Sequence, residues 1–179
     1  MVSHSVARFV FLAALLPMLQ IPNVTTQREV KTDVVIHAPA AEVWRALTNL
    51  PAYTIWNPYI YPASGEVKAG ARLEITLHEG KIVTYSPIVT TADPNRALSW
   101  SGHFAGMFER TVTFTLTPLD PADPTWTRVE ARELFRGLLL LALGGMPDDA
   151  RHGLDLMTRA LRERVELLQP PPPPAKPQP

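Results

Sequence analysis

Arg110 and Glu133 are two oppositely charged residues whose predicted positions would allow them to take part in binding or catalysis. Arg110 precedes the alternating segment Thr111–Thr117, and its side chain shares a face with the apolar residues of that segment. Glu133 occupies the same kind of apolar face on the next alternating segment. If the two segments form a hairpin whose loop is centred between Pro121 and Ala122, Arg110 lies directly opposite Glu133.

A guanidinium beside a carboxylate on the apolar face of a sheet could act in several ways. The pair could anchor the polar end of a ligand in an apolar cavity. In an enzyme, Glu133 could move a proton while Arg110 stabilises an oxyanion. The structural alternative is an ion pair that only neutralises itself near the rim of the core.

The five histidines supply one weaker candidate for acid–base chemistry. His103 follows Gly102 at the predicted end of a strand, and an imidazole titrates near neutral pH, so a catalytic role is one interpretation and an incidental loop histidine the other. His37 and His78 share parity with polar strand residues, so we expect both to be solvated. With no cysteine and scattered histidines, the sequence predicts no metal site and no cofactor.

A larger set of mostly apolar residues is predicted to line a binding cavity. Ligand pockets are concave and largely apolar, with a few polar groups that orient the ligand. The alternative is an ordinary packed core, in which aromatic side chains are common. The predicted ligand-binding residues are Trp56, Leu73, Ile75, Trp100, Phe104, Phe108, Arg110, Val112, Phe114, Glu133, Phe135, Leu154, Met157 and Leu161.

The composition limits the kinds of protein that this chain can be. Its 179 residues suit one domain, and 46% hydrophobic with 19% charged residues suit a globular core. Lys and Arg together number 17, as do Asp and Glu. This balance argues against a nucleic-acid partner, because such proteins carry a basic excess that neutralises phosphates.

Local patterning indicates the elements that would position these side chains. Val30–His37 alternates as a strand, and Pro39 is suited to the first turn of a helix, which Pro51 interrupts. From Tyr59 to Arg136 the pattern predicts about six further strands with short connections, including one strand over Ile82–Thr91.

A long amphipathic helix is predicted from about Pro147 to Leu168. The expected fold class is therefore α+β: a curved antiparallel sheet of about seven strands wrapped on this C-terminal helix, with two short helices after the first strand. One helix rarely fills the concavity of so long a sheet, so we expect an internal cavity between them.

The two ends of the chain differ from this central domain, predicted over residues 29–169. Residues 9–19 are apolar and follow Arg8, which favours an export signal or membrane anchor within residues 1–28, with membrane contact through residues 9–21. The alternative is a soluble tail on a cytoplasmic protein. Residues 170–179 are predicted to be a disordered proline-rich tail, or alternatively a ligand for an aromatic-lined module.

The segment Leu138–Met146 is too apolar for an ordinary exposed loop. It lies between the last predicted strand and the long helix. It could be a helical turn that covers the core. It could also be a lid at the cavity mouth, hinged at Gly137 and at Gly144 and Gly145.

Several strings resemble the SRPBCC superfamily, which has the START-like helix-grip fold, and in particular its polyketide cyclase/dehydrase-like branch. The most specific are Ala-Pro-x-x-x-Val-Trp at 38–44 and Trp-Asn-Pro at 56–58, and further strings lie at 64–66, 98–102, 133–139 and 160–166. The resemblance covers about residues 30–168. It implies a deep apolar cavity that takes lipids, polyketides or other hydrophobic small molecules. Relatives often carry a histidine where this chain has Val112.

Three functional hypotheses remain at this point. The first is a protein that binds a hydrophobic small molecule or lipid in an internal cavity. The second is an enzyme of the cyclase/dehydrase type that uses polar cavity residues. The third is a non-enzymatic adaptor whose core is filled by side chains. A cavity with convergent polar residues favours the first two, and a packed interior favours the third.

Overall fold

The computed structural model describes residues 26–79, 81–104, 108–137 and 146–168. The predicted N-terminal signal or anchor, most of the predicted lid and the proline-rich tail lie outside the described residues. The elements in chain order are β1 Gln27–Ile36, α1 Ala40–Thr48, a 3₁₀ turn Leu50–Ala52, α2 Tyr53–Trp56, β2 Ile60–Gly65, β3 Leu73–Glu79, β4 Lys81–Tyr85, β5 Ile88–Asp93, β6 Ala97–Phe104, β7 Phe108–Pro118, β8 Thr127–Arg136 and α3 Met146–Leu167.

All of these strands pair antiparallel, which confirms the predicted α+β helix-grip class. One sheet has the order β1-β8-β7-β6-β5 and the other the order β2-β3-β4. An isolated bridge between Arg72 and Ile88 joins the two sheets where β3 begins. The first strand starts three residues before the predicted Val30, because Gln27 pairs with Arg136 at the far end of β8.

The single strand predicted over Ile82–Thr91 is wrong, because the chain forms two strands there. β4 pairs with β3, and β5 pairs with β6. Pro87 lies between them, and a proline has no N–H to donate to a ladder. Its carbonyl instead accepts a hydrogen bond from the backbone N–H of Leu73 at 2.9 Å. The chain therefore changes partners at this residue, and β4 and β5 together correspond to one strand of the predicted seven.

The predicted pairing between β7 and β8 is also wrong, by two residues. Arg110 pairs with Phe135, and Val112 pairs with Glu133. The hairpin closes at Pro118 and Thr127, so the centre of its loop lies one residue later than predicted. A shift of two residues leaves every side chain on its predicted face, because the side chains of a strand alternate with period two.

Helix α3 covers the inner face of the sheets. Its residues Leu154, Met157 and Leu161 are buried, as are Trp100 and Phe114 on the facing strands. The rings of Trp100 and Phe114 lie 5.6 Å apart, centroid to centroid. Within the part of the chain that the structure describes, no helix is both long enough and apolar enough to span a membrane.

Candidate functional site

A buried ion pair stands on the inner face of the sheet. Nη2 of Arg110 lies 2.8 Å from Oε2 of Glu133 and 2.9 Å from Oε1. The two side chains are 2% and 0% exposed. The predicted meeting of these two residues is therefore confirmed, although they reach each other diagonally across the ladder and not from directly opposite positions.

Tyr59 is the third member of this cluster, and it is not among the site residues predicted from the sequence. Its hydroxyl lies 3.2 Å from Oε1 and 3.4 Å from Oε2 of Glu133, and it accepts a hydrogen bond from Nη2 of Arg110. Asn57 orients this part of the chain, because its Oδ1 accepts the backbone N–H groups of Tyr59 and Ile60 at 3.0 and 2.9 Å. The Trp-Asn-Pro string marks a turn here, but no local pattern says where the tyrosine after it points.

A glycine in α3 makes room for the Tyr59 ring. Gly153 is buried, and a β-carbon at this position would lie 2.2 Å from ring atoms of Tyr59. A glycine inside a helix costs about 1 kcal/mol relative to alanine, so its place here has a packing reason. The ring stands directly on the helix backbone, and this contact holds the hydroxyl against Arg110 and Glu133.

Aromatic rings surround the guanidinium of Arg110. Its Cζ lies 5.9 Å from the centroid of the Tyr59 ring and 5.3 Å from that of Phe135. Phe108 in turn stacks on Phe135 with 6.0 Å between centroids. These distances suit cation–π attraction, and the apolar walls keep water away from the pair. The arrangement can present a donor and an acceptor to a polar group inside an otherwise apolar interior.

The structure brings most of the predicted ligand-binding residues together in one packed core. Their nearly complete burial shows that these side chains are closely surrounded by other atoms of the chain. Their role in binding stays a prediction. The residues buried to 1% exposure or less are Leu73, Ile75, Trp100, Val112, Phe114, Glu133, Phe135, Leu154, Met157 and Leu161.

The inner face is less covered along β4, which is an edge strand of the three-stranded sheet. Val83 faces inward opposite Leu77, yet it is 38% exposed whereas Leu77 is 1% exposed. Tyr85 closes the seam between the two sheets, since its ring stands on Gly102, where a β-carbon would lie 2.8 Å from it. Nε1 of Trp100 donates to the Tyr85 hydroxyl at 3.2 Å across the same seam.

Three predicted site residues lie elsewhere or are only partly described. Trp56 is half-buried and lines a surface cleft of about 80 Å³ between α1 and the C-terminal end of α3. His103 is exposed on the outer face of β6, so the structure does not bring it to Arg110 and Glu133. Phe104 pairs with Phe108 at the end of β6.

Both His37 and His78 were predicted to be solvated, and the structure agrees for His37 but not fully for His78. His37 is exposed, as expected, and stacks on Trp126 at 4.3 Å. His78 is half-buried, because its ring stacks on Tyr61 at 3.8 Å and its Nε2 lies 2.8 Å from the Tyr61 carbonyl oxygen. Among the residues with described positions, no cluster of His, Asp or Glu could hold a metal ion.

Solved structures with the same fold come from bacteria and plants. A START superfamily protein from Mycobacterium smegmatis superposes with a TM-score of 0.64 at 20% identity, over 79% of this chain and 99% of its own. An aromatase/cyclase from a Streptomyces species gives 0.58 at 21% identity, over 79% and 94%. Norcoclaurine synthase from Thalictrum flavum gives a TM-score of 0.62 at 12% identity in two structures. The point mutant is matched over 80% of this chain and 96% of its own, and the truncated form over 82% and 97%.

No curated protein matches the chain in sequence. A family model described as polyketide cyclase/dehydrase and lipid transport matches residues 27–167, which are nearly all of the described elements. The match agrees with the helix-grip architecture and with the resemblance to the SRPBCC superfamily. This chain therefore belongs to the polyketide cyclase/dehydrase and lipid transport family.

Proposed function

We propose that this domain binds a hydrophobic small molecule between the sheet and α3, with the polar end of the molecule at Tyr59, Arg110 and Glu133. The observation that carries the proposal is the buried polar cluster in an otherwise apolar interior. A buried ion pair is no more stabilising than well-packed apolar side chains of similar volume. A contribution to stability therefore does little to explain why this ion pair is buried, whereas a role in anchoring the polar end of a ligand would explain it.

Binding requires the interior to open, because the side chains around Trp100 and Phe114 are fully packed. Val83 is 38% exposed although it pairs with the buried Leu77, and we propose that the ligand enters beside it. The Tyr59 and Tyr85 rings stand on glycines, so a rotation of either ring vacates volume beside the helix or the sheet. The family description, which includes lipid transport, supports the same class of ligand.

Native mass spectrometry of the purified full-length chain tests the proposal directly. We expect co-purified hydrophobic molecules, or binding of added decanol, that denaturation releases. A chain that carries nothing and binds nothing would contradict the proposal and would favour the filled-core adaptor instead.

The Phe114→Ala substitution tests where the ligand lies. Phe114 is fully buried beside Trp100, so the substitution is expected to lower the free energy of unfolding by about 3–5 kcal/mol and to weaken decanol binding by removing part of the site. Ile82→Ala is the matched control, because Ile82 is an exposed strand residue. Unchanged binding by a folded Phe114→Ala variant would place the ligand outside this core.

Acid–base catalysis is the second candidate, and the Tyr59 hydroxyl favours it. This hydroxyl lies within hydrogen-bond reach of Glu133 and accepts from Arg110, which is the geometry of a proton donor or acceptor beside an oxyanion-stabilising cation. We expect the chain to accelerate deuterium exchange at the α-carbon of a ten-carbon methyl ketone. The Glu133→Gln variant is expected to lose this exchange, and equal rates with and without the protein would exclude the reaction.

A further inference from the structure

The surface cleft between α1 and the C-terminal end of α3 lies where the described chain ends. Its lining includes Trp56 and Leu168, and Leu168 is the last residue that the structure describes. On α1, the lining residues Glu42 and Asn49 are seven positions apart, which places them on one stripe along that helix. We propose that this cleft binds the proline-rich tail of the same chain through residues 170–174.

Trp56 supplies the kind of surface on which a proline-rich segment docks. Its ring is half-buried and stands edge-on against the ring of Tyr53, with 4.9 Å between the centroids. Tyr53 is itself buried, and its hydroxyl donates a hydrogen bond to the Leu47 carbonyl oxygen at 2.7 Å. The tryptophan ring is therefore supported from below and presents its remaining surface to the cleft. Polyproline II helices dock in aromatic-lined grooves because their conformation exists before binding.

The tail starts beside the cleft. Pro170 follows Leu168 by two residues, so the run of five prolines begins within about 7 Å of a lining residue. A tether this short gives the tail an effective concentration of about a millimolar or more at the cleft, so even weak contacts keep it there. Docking also covers apolar surface of Leu168, which is 63% exposed.

The length and chemistry of the cleft fit this segment. Glu42 and Asn49 are separated by about 10 Å along α1, and five residues of polyproline II span about 15 Å, so residues 170–174 are long enough to follow the stripe. A polyproline II helix makes no internal hydrogen bonds, which leaves its carbonyl oxygens to other donors. Asn49 and Arg164 bring donor-bearing side chains to the lining.

A fluorophore on the tail of the full-length chain tests the inference. The chain has no cysteine, so a Pro172→Cys variant carries one site for a bimane label, whose emission a tryptophan ring quenches on contact. If the affinity is near the effective concentration, about half of the tails are docked, and Trp56→Phe should raise the emission about twofold. Trp126→Phe is the matched control, because Trp126 is 42% exposed and lies outside the cleft. Emission that rises with Trp126→Phe and not with Trp56→Phe would overturn the inference.

A second variant separates docking from mere proximity and leaves the folded domain unchanged. Replacing the other four prolines of residues 170–174 by serine keeps the tether but removes the polyproline II conformation, so quenching should fall. Equal quenching by the serine tail would overturn the inference, and this comparison decides the matter even where Trp56→Phe does not fold. Quenching should also be independent of protein concentration. Quenching that grows with concentration would show that the tail binds a second copy and would overturn docking within one chain.

Discussion

Neighbouring residues of β8 form two arginine–glutamate pairs on opposite faces of the sheet. On the inner face, Glu133 lies 2.8 Å from Nη2 of Arg110. On the outer face, Oε2 of Glu29 lies 2.7 Å from Nη2 of Arg132. The inner side chains are 0% and 2% exposed and the outer ones 29% and 41%. The two pairs have the same chemistry and nearly the same distance, so any difference in their energetic weight comes from their surroundings.

Water is what separates the two pairs. Exposed ions keep most of their hydration, and salt screens their attraction, so losing one partner costs little. Buried ions have lost their hydration, and each depends on the other and on nearby hydrogen bonds. In the inner pair, the Tyr59 hydroxyl and the aromatic rings around Arg110 provide such interactions in place of water. A short ion-pair distance by itself therefore says little about stability.

The Glu133→Gln substitution is expected to have the largest effect. It keeps the shape of the side chain but removes the negative charge that balances Arg110 in the core. The free energy of unfolding, measured by urea denaturation, should fall by about 3–5 kcal/mol. A loss below about 1 kcal/mol would mean that the inner pair behaves like a surface pair.

The double variant Arg110→Met with Glu133→Leu is the control for that experiment. It removes both charges together and fills the space with apolar side chains of comparable volume. Its stability should return to within about 1 kcal/mol of the wild type or exceed it, because no buried charge remains. Affinity for decanol should not return with it, because the polar anchor is gone.

Tyr59→Phe tests the third member of the inner cluster with a smaller expected effect. The substitution removes one hydroxyl that hydrogen-bonds to charged groups and leaves the ring on Gly153. The free energy of unfolding should fall by about 1.5–3 kcal/mol. Tyr61→Phe, on a half-buried tyrosine outside the cluster, is the matched control. Equal stability of Tyr59→Phe and wild type would show that the hydroxyl contributes nothing to holding the pair.

The outer pair should give the smallest effect, and one that depends on salt and pH. Hydrogen bonds from Arg132 and Lys31 lower the pKa of Glu29 below its usual value. The stabilisation is therefore present above the unfolded-state pKa and is lost as the pH falls through the folded-state pKa. Stability curves of the wild type and Glu29→Gln should differ slightly at neutral pH and converge in acid or in about 1 M salt. A difference that persists in both conditions would contradict this account.

Local sequence patterns predicted many of the helices and strands, because residues close together in the sequence determine where such an element forms and ends. Alternation marked β7 and β8, apolar residues at helical spacing marked α3, and Pro39 and Pro51 marked the boundaries of α1. The division of Ile82–Thr91 into two strands was missed. Pro87 was visible in the sequence, but its consequence depends on which strands offer partners on either side of it. That information is not local.

The sequence by itself determined which face of the sheet Arg110 and Glu133 share, because strand side chains alternate with a fixed period of two. Tertiary structure alone decided that the two side chains touch, since the loop between the strands sets the register and the contact is diagonal. It also decided that Tyr59 joins them, because a residue distant in sequence is held there by Gly153 of α3. Contacts between distant segments depend on how whole elements pack, and periodicity within one segment carries no record of that packing.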